Sequence, residues 1–88
     1  MAEDYIELVL QWRQGADQET VRKWVQQRNL TSTKMLSGLL LLGTKTAVEK
    51  AFSVSLENVQ PPVDLPIPTE LQGHVASITF PRPRSYHA

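Results

Sequence analysis

Acid–base chemistry would have to start at the only two imidazoles in the chain, His74 and His87, because no cysteine is present. His74 follows "ELQG", a short helical-turn pattern, where a histidine reads as a cap or surface residue before it reads as a base. His87 stands next to the last residue given, a poor place to hold catalytic geometry. The carboxylates are scattered, and none is paired at a spacing suited to acid and base roles. There is no His-Glu-x-x-His pair, no glycine-rich phosphate loop and no Gly-x-Ser-x-Gly elbow. Lack of cysteine rules out disulfides, thiolate nucleophiles and cysteine-ligated zinc. Gly43-Thr44 at a helix start could meet an anion, although a strand-to-helix turn with a cap explains the same residues. The expectation is therefore no catalytic residue, no cofactor, no metal and no enzyme.

The elements are read from hydrophobic period. "DYIELVLQW" alternates, with Ile6, Leu8, Leu10 and Trp12 on one face and Tyr5, Glu7, Val9 and Gln11 on the other. Period two with aliphatic and aromatic side chains predicts a half-buried strand. "DQETVRKWVQQRN" predicts a helix with Asp17 as N-cap and Val21, Trp24 and Val25 as its inward stripe. Asn29 suits a left-handed exit from it. The sequon at Asn29, in a chain whose acidic start is unlike an export leader, is read as chance.

"LTSTKM" predicts a polar second strand. "LLLLG" predicts a third, buried on both faces or central. "TKTAVEKAFSVS" predicts a second helix with Val48, Ala51 and Phe52 inward. Thr44 and Thr46 compete for its N-cap, the latter with Glu49 as a capping box. "VSLENV", residues 54–59, predicts a fourth, weaker strand. From Gln60 the composition changes: "QPPVDLPIP" holds four prolines and favours an extended path. Thr69 is expected to cap a short turn, "ELQGH". "VASITF" can be extended, and the tail that follows from Phe80, "FPRPRSYHA", is either a disordered terminus or an arm that another surface receives.

Strand, helix, strand, strand, helix, strand, with short connections and right-handed crossovers, predicts an α+β fold. The specific expectation is a ferredoxin-like two-layer sandwich with an antiparallel four-stranded sheet in the order 4-1-3-2. Its core would span residues 1–60, followed by a Pro-rich segment, 61–88. The two apolar strands would then be central and the two polar ones would be edges.

The length, 88 residues, fits one modest core. Nine basic and nine acidic residues cancel, which argues against nucleic acid and membrane surfaces as partners. No apolar run approaches the roughly 18 residues of a membrane span. A base-stacking sheet needs aromatics on its central strands, and here only Tyr5 and Trp12 are offered. A two-layer sandwich leaves one sheet face uncovered. Tyr5, Val9 and the outward half of the leucine run, Leu40 and Leu42, would form a docking patch there for another protein or for a second copy. The strand at 54–59 is an alternative edge for self-association.

Beyond these patterns, "GTKTAVEKAFSVSLENV" followed by "LPIPTELQGHVASI" resembles the activation domain, or prodomain, of sedolisin- and kumamolisin-type serine-carboxyl peptidases. The matching positions are Gly43, Thr44, Val48, Glu49, Ala51, Phe52, Ile67, Pro68, Leu71, His74 and Val75. "VRKWVQQRNLT" looks like that family's first helix, and the resemblance runs over roughly residues 4–80. It departs in a short hairpin between the second and third strands. None of the family's catalytic Glu, Asp and Ser motifs follows in this chain, so the resemblance implies an excised prodomain or a free-standing relative.

The resemblance implies a single-turnover folding assistant and inhibitor whose sheet packs on the peptidase and whose C-terminal segment lies in the active-site cleft. His74, Phe80, Arg82 and Arg84 are then partner-binding candidates beside the sheet patch. Proline would pre-set an extended backbone for such a cleft. A free-standing structural domain, homodimeric through the sheet, is the competing expectation. The compartment follows the choice: secreted as part of a precursor, cytoplasmic if free-standing.

Overall fold

The computed structural model describes residues 5–57 and 59–81. In β1 (Tyr5–Trp12) Ile6, Leu8 and Leu10 are buried, while Tyr5, Glu7 and Gln11 are exposed. The helix α1 (Gln18–Gln27) begins at Asp17, whose carboxylate accepts from the Glu19 and Thr20 N–H groups and the Thr20 hydroxyl. Two backbone donors that the first turn would otherwise leave to solvent are thereby engaged, and the Thr20 hydroxyl adds a third bond. Val21, Trp24 and Val25 are buried, and Asn29 exits at φ +60°.

The strand β2 (Thr31–Lys34) and the strand β3 (Gly38–Thr44) form a hairpin closed by Met35 N–H to Gly38 O. In β3 the leucine run divides between faces. Leu39 and Leu41 are buried, Leu40 is half-buried and Leu42 is 38% exposed. Of the two readings of this run, burial on both faces or a central position, the second holds: β3 lies between β2 and β1, and only one of its faces is covered.

Thr44 caps α2 (Lys45–Phe52), its Oγ1 accepting from Ala47 N–H at 3.1 Å. The capping box at Thr46 is not used. Glu49 instead reaches forward, its carboxylate accepting from Leu56 N–H at 2.6 Å. That bond helps explain the main correction to the expected topology. Residues 54–57 are not a strand: Ser53 turns left-handed at φ +55° and Val54 N–H donates to Glu49 O. The two donors that a ladder would want are held by Glu49 of α2, and Leu56 is buried in the core. Val54 and Leu56 have a strand's alternation but belong to a loop lying on the core; Asn58, within the expected strand, lies outside the described residues.

The sheet has five strands, all antiparallel to their neighbours, in the order β2-β3-β1-β5-β4. β4 (Val63–Asp64) and β5 (Val75–Phe80) both come from the proline-bearing region. The place beside β1 assigned to 54–59 is taken by β5, and β4 adds an outer edge. The architecture is thus α+β, with two helices on one face of a five-stranded antiparallel sheet, and not the four-stranded arrangement expected.

A 3₁₀ turn, Thr69–Leu71, links β4 to β5. Pro68 precedes it with no side-chain cap, so Thr69 does not cap as expected. Leu65, Leu71, Val75 and Ile78 join Leu8, Leu10, Leu39, Leu41, Val48 and Phe52 in one buried cluster. At about 1.5–3 kcal/mol for each large aliphatic side chain taken from water, residues beyond 60 are a substantial part of what holds this fold. Trp24 and Phe52 join the two helices with ring centroids 5.5 Å apart.

Candidate docking surface

Register assigns each side chain to a sheet face, because residues directly paired across antiparallel strands point the same way. β1 pairs Glu7 with Leu42, Val9 with Leu40 and Gln11 with Gly38. β2 adds Thr31 beside Leu42 and Thr33 beside Leu40. β5 adds Thr79 beside Val9 and Ser77 beside Gln11, and β4 adds Asp64 beside Thr79. One row across the sheet therefore reads Thr33, Leu40, Val9, Thr79, Asp64. The next reads Thr31, Leu42, Glu7.

This is the face away from the helices, since Ile6, Leu8, Leu10, Leu39, Leu41 and Ile78 fill the buried cluster on the other side. Its centre is apolar: Val9 and Leu40 are half-buried, Leu42 is 38% and Tyr5 69% exposed. Its surround is hydroxyl-rich. The Thr31 hydroxyl donates to Leu42 O at 3.1 Å, and that of Thr79 donates to the Asp64 carboxylate at 3.0 Å. Two acids, Glu7 and Asp64, and no base stand on the face among the described residues.

Four of the anticipated partner residues, Tyr5, Val9, Leu40 and Leu42, are brought together here. Others are not. Phe80 is half-buried, packs against the core and pairs with Val63. His74 is engaged within the fold. Its Nδ1 accepts from Asp17 N–H at 3.0 Å, its backbone N–H donates to Leu71 O, and its backbone carbonyl accepts from Arg13 N–H at 2.8 Å. It ties the start of α1 to the entry of β5. Arg82, Arg84 and His87 lie outside the described residues.

Asp17, beside His74, has its carboxyl pKa lowered from the usual value. The Thr20 hydroxyl is the largest cause, followed by the Thr20 N–H, with the Glu19 N–H and His74 contributing in the same direction. Hydrogen bonds to the ionised form produce this shift.

Glu7, Thr31, Thr33 and Asp64 belong to the face but were not among the anticipated residues. Glu7 was legible from its alternation with Tyr5 and Val9. The others depend on pairing register, which no local pattern reveals. The β2–β3 turn also carries an exposed apolar tip, with Leu36 fully exposed and Met35 partly so.

On the helix side, Arg28 stacks 4.0 Å over the Trp24 ring and donates to Trp24 O, closing the end of α1. The indole N–H of Trp24 is buried without a partner among the described residues. The open grooves nearby are bordered by Arg28, Lys50, Glu70 and the prolines Pro66 and Pro68. Among the described residues no cluster of His, Asp or Glu is placed to hold a metal ion, and no helix is long and apolar enough to cross a membrane. Comparison with family models, curated proteins and solved structures returns no match to this chain.

Proposed function

We propose that this chain is a prodomain-like docking module that binds a serine-carboxyl peptidase and either inhibits it or assists its folding. The observation that carries the docking half of this reading is the uncovered sheet face, with Tyr5, Val9, Leu40 and Leu42 contiguous in register. An apolar centre with a polar rim is the anatomy of a protein interface. The peptidase half rests on the sequence resemblance, from Gly43-Thr44 through Ile67-Pro68 to His74-Val75. In this reading the ferredoxin-like arrangement is approached by β2, β3, β1 and β5, with β4 as an addition. The sheet face grips the enzyme, and Arg82 and Arg84 belong to the segment offered to the cleft.

Mixing the purified chain with a mature sedolisin-type peptidase tests this. Inhibition at micromolar concentration, or a gain in recovered activity when the denatured enzyme refolds beside it, is expected. Absence of both effects would sink the reading. Self-association through the same face is the competing reading. It sets the acids Glu7 and Asp64 of two copies on facing surfaces with no base on the face among the described residues, which disfavours it.

A further inference from the structure

The open sheet face carries an acid where an interface centre would ordinarily be neutral. Glu7 pairs directly with Leu42 and lies two residues from both Tyr5 and Val9 on the same side of β1. Its carboxylate is exposed and borders the apolar patch. On this face Asp64 is the other charge among the described residues, and it already accepts the Thr79 hydroxyl at the sheet edge. The bases of the helical segments, Arg22, Lys23, Arg28, Lys45 and Lys50, belong to the opposite layer.

An apolar surface closing over this patch strips water from Glu7. A carboxylate left dry and unpaired is costly, whereas a guanidinium or ammonium group in the partner compensates it. The same acid repels a partner that brings a carboxylate, which is specificity by exclusion. We infer that the face selects a protein surface presenting an arginine or lysine among apolar side chains, with Glu7 as its counter-charge. This rests on the docking role of the face and not on which protein docks.

The test uses the full chain, 15N-labelled, titrated at low-millimolar concentration with two capped tripeptides, acetyl-Leu-Arg-Leu-amide and acetyl-Leu-Glu-Leu-amide. The arginine peptide is expected to shift the amides of Glu7, Val9, Leu40 and Leu42, and the glutamate peptide to leave them in place. Glu7→Gln, an exposed change whose unaltered spectrum elsewhere verifies the fold, should weaken the arginine peptide by about threefold, the scale of one solvated ion pair. Equal shifts from both peptides, or indifference to Glu7→Gln, overturn the charge selection while leaving the docking role intact. No shift on this face from either peptide overturns the selection and counts against the docking role as well. Failure to inhibit a peptidase touches neither result.

Discussion

Gly38 and Gly43 bracket the leucine run of β3, and a methyl group at each would meet a different obstacle. At Gly38 it would collide with the backbone carbonyl of Leu10, which is fixed by the β1–β3 ladder. At Gly43 it would meet the end of the Leu30 side chain, which can turn aside. Gly38→Ala is therefore expected to cost about 3 kcal/mol or prevent folding, and Gly43→Ala about 1 kcal/mol, read from urea midpoints. Asp17 supplies a second residue-scale prediction. Its folded pKa is lowered, so its contribution is complete above the ordinary carboxyl value and is lost as pH falls through the folded one. Asp17→Ala should lower the melting temperature at neutral pH, and its gap from the parent should close on acidification through that range. His74 shows what sequence conceals at this scale. The family resemblance marked it for a partner, yet its ring is bonded to a backbone N–H 57 residues away.

Both helices and the first three strands were legible, because each announces itself within about ten residues. Alternation marks β1, the Val21-Trp24-Val25 stripe marks α1, and Thr44 after Gly43 marks the start of α2. The fourth strand was misplaced for a physical reason. Val54 and Leu56 have the period of a strand, but Glu49 uses its backbone and its carboxylate to hold their N–H groups. β5 could be seen as extended, but its partner β1 lies more than sixty positions earlier, beyond any local signal. The candidate face was legible to the extent that alternation in β1 and β3 placed Tyr5, Val9, Leu40 and Leu42 outward. A prediction at this scale follows from the burial of β5. Ile78 is fully buried, so Ile78→Ala should destabilise the whole chain by about 3 kcal/mol, as a core truncation does. A chain cut after Gln60 should show no cooperative thermal transition, since Leu65, Leu71, Val75 and Ile78 leave the core with it. A normal transition in that truncated chain would mean that the core is complete without β5.

At the scale of the whole molecule, the helices seal one side of the sheet and leave the other uncovered among the described residues. The two sides should respond differently to mutation. Leu41, in the core, should cost about 2–5 kcal/mol when cut to alanine, as buried leucines do. Leu42→Thr, one residue along but outward, should stay within about 0.5 kcal/mol, since exposed positions tolerate change. If the proposed role holds, that second variant loses inhibition of the peptidase while its melting temperature is retained. Loss of both together would assign Leu42 to the fold instead. The pairing of β1 with β5 also bears on how the protein is made. A ribosome delivers β5 more than sixty residues after β1, so over that stretch of synthesis the flank of β1 that pairs with β5 has no mate. A nascent chain in that condition offers a bare strand edge to its neighbours. Slowing translation over residues 60–80 should therefore raise the insoluble fraction of newly made protein.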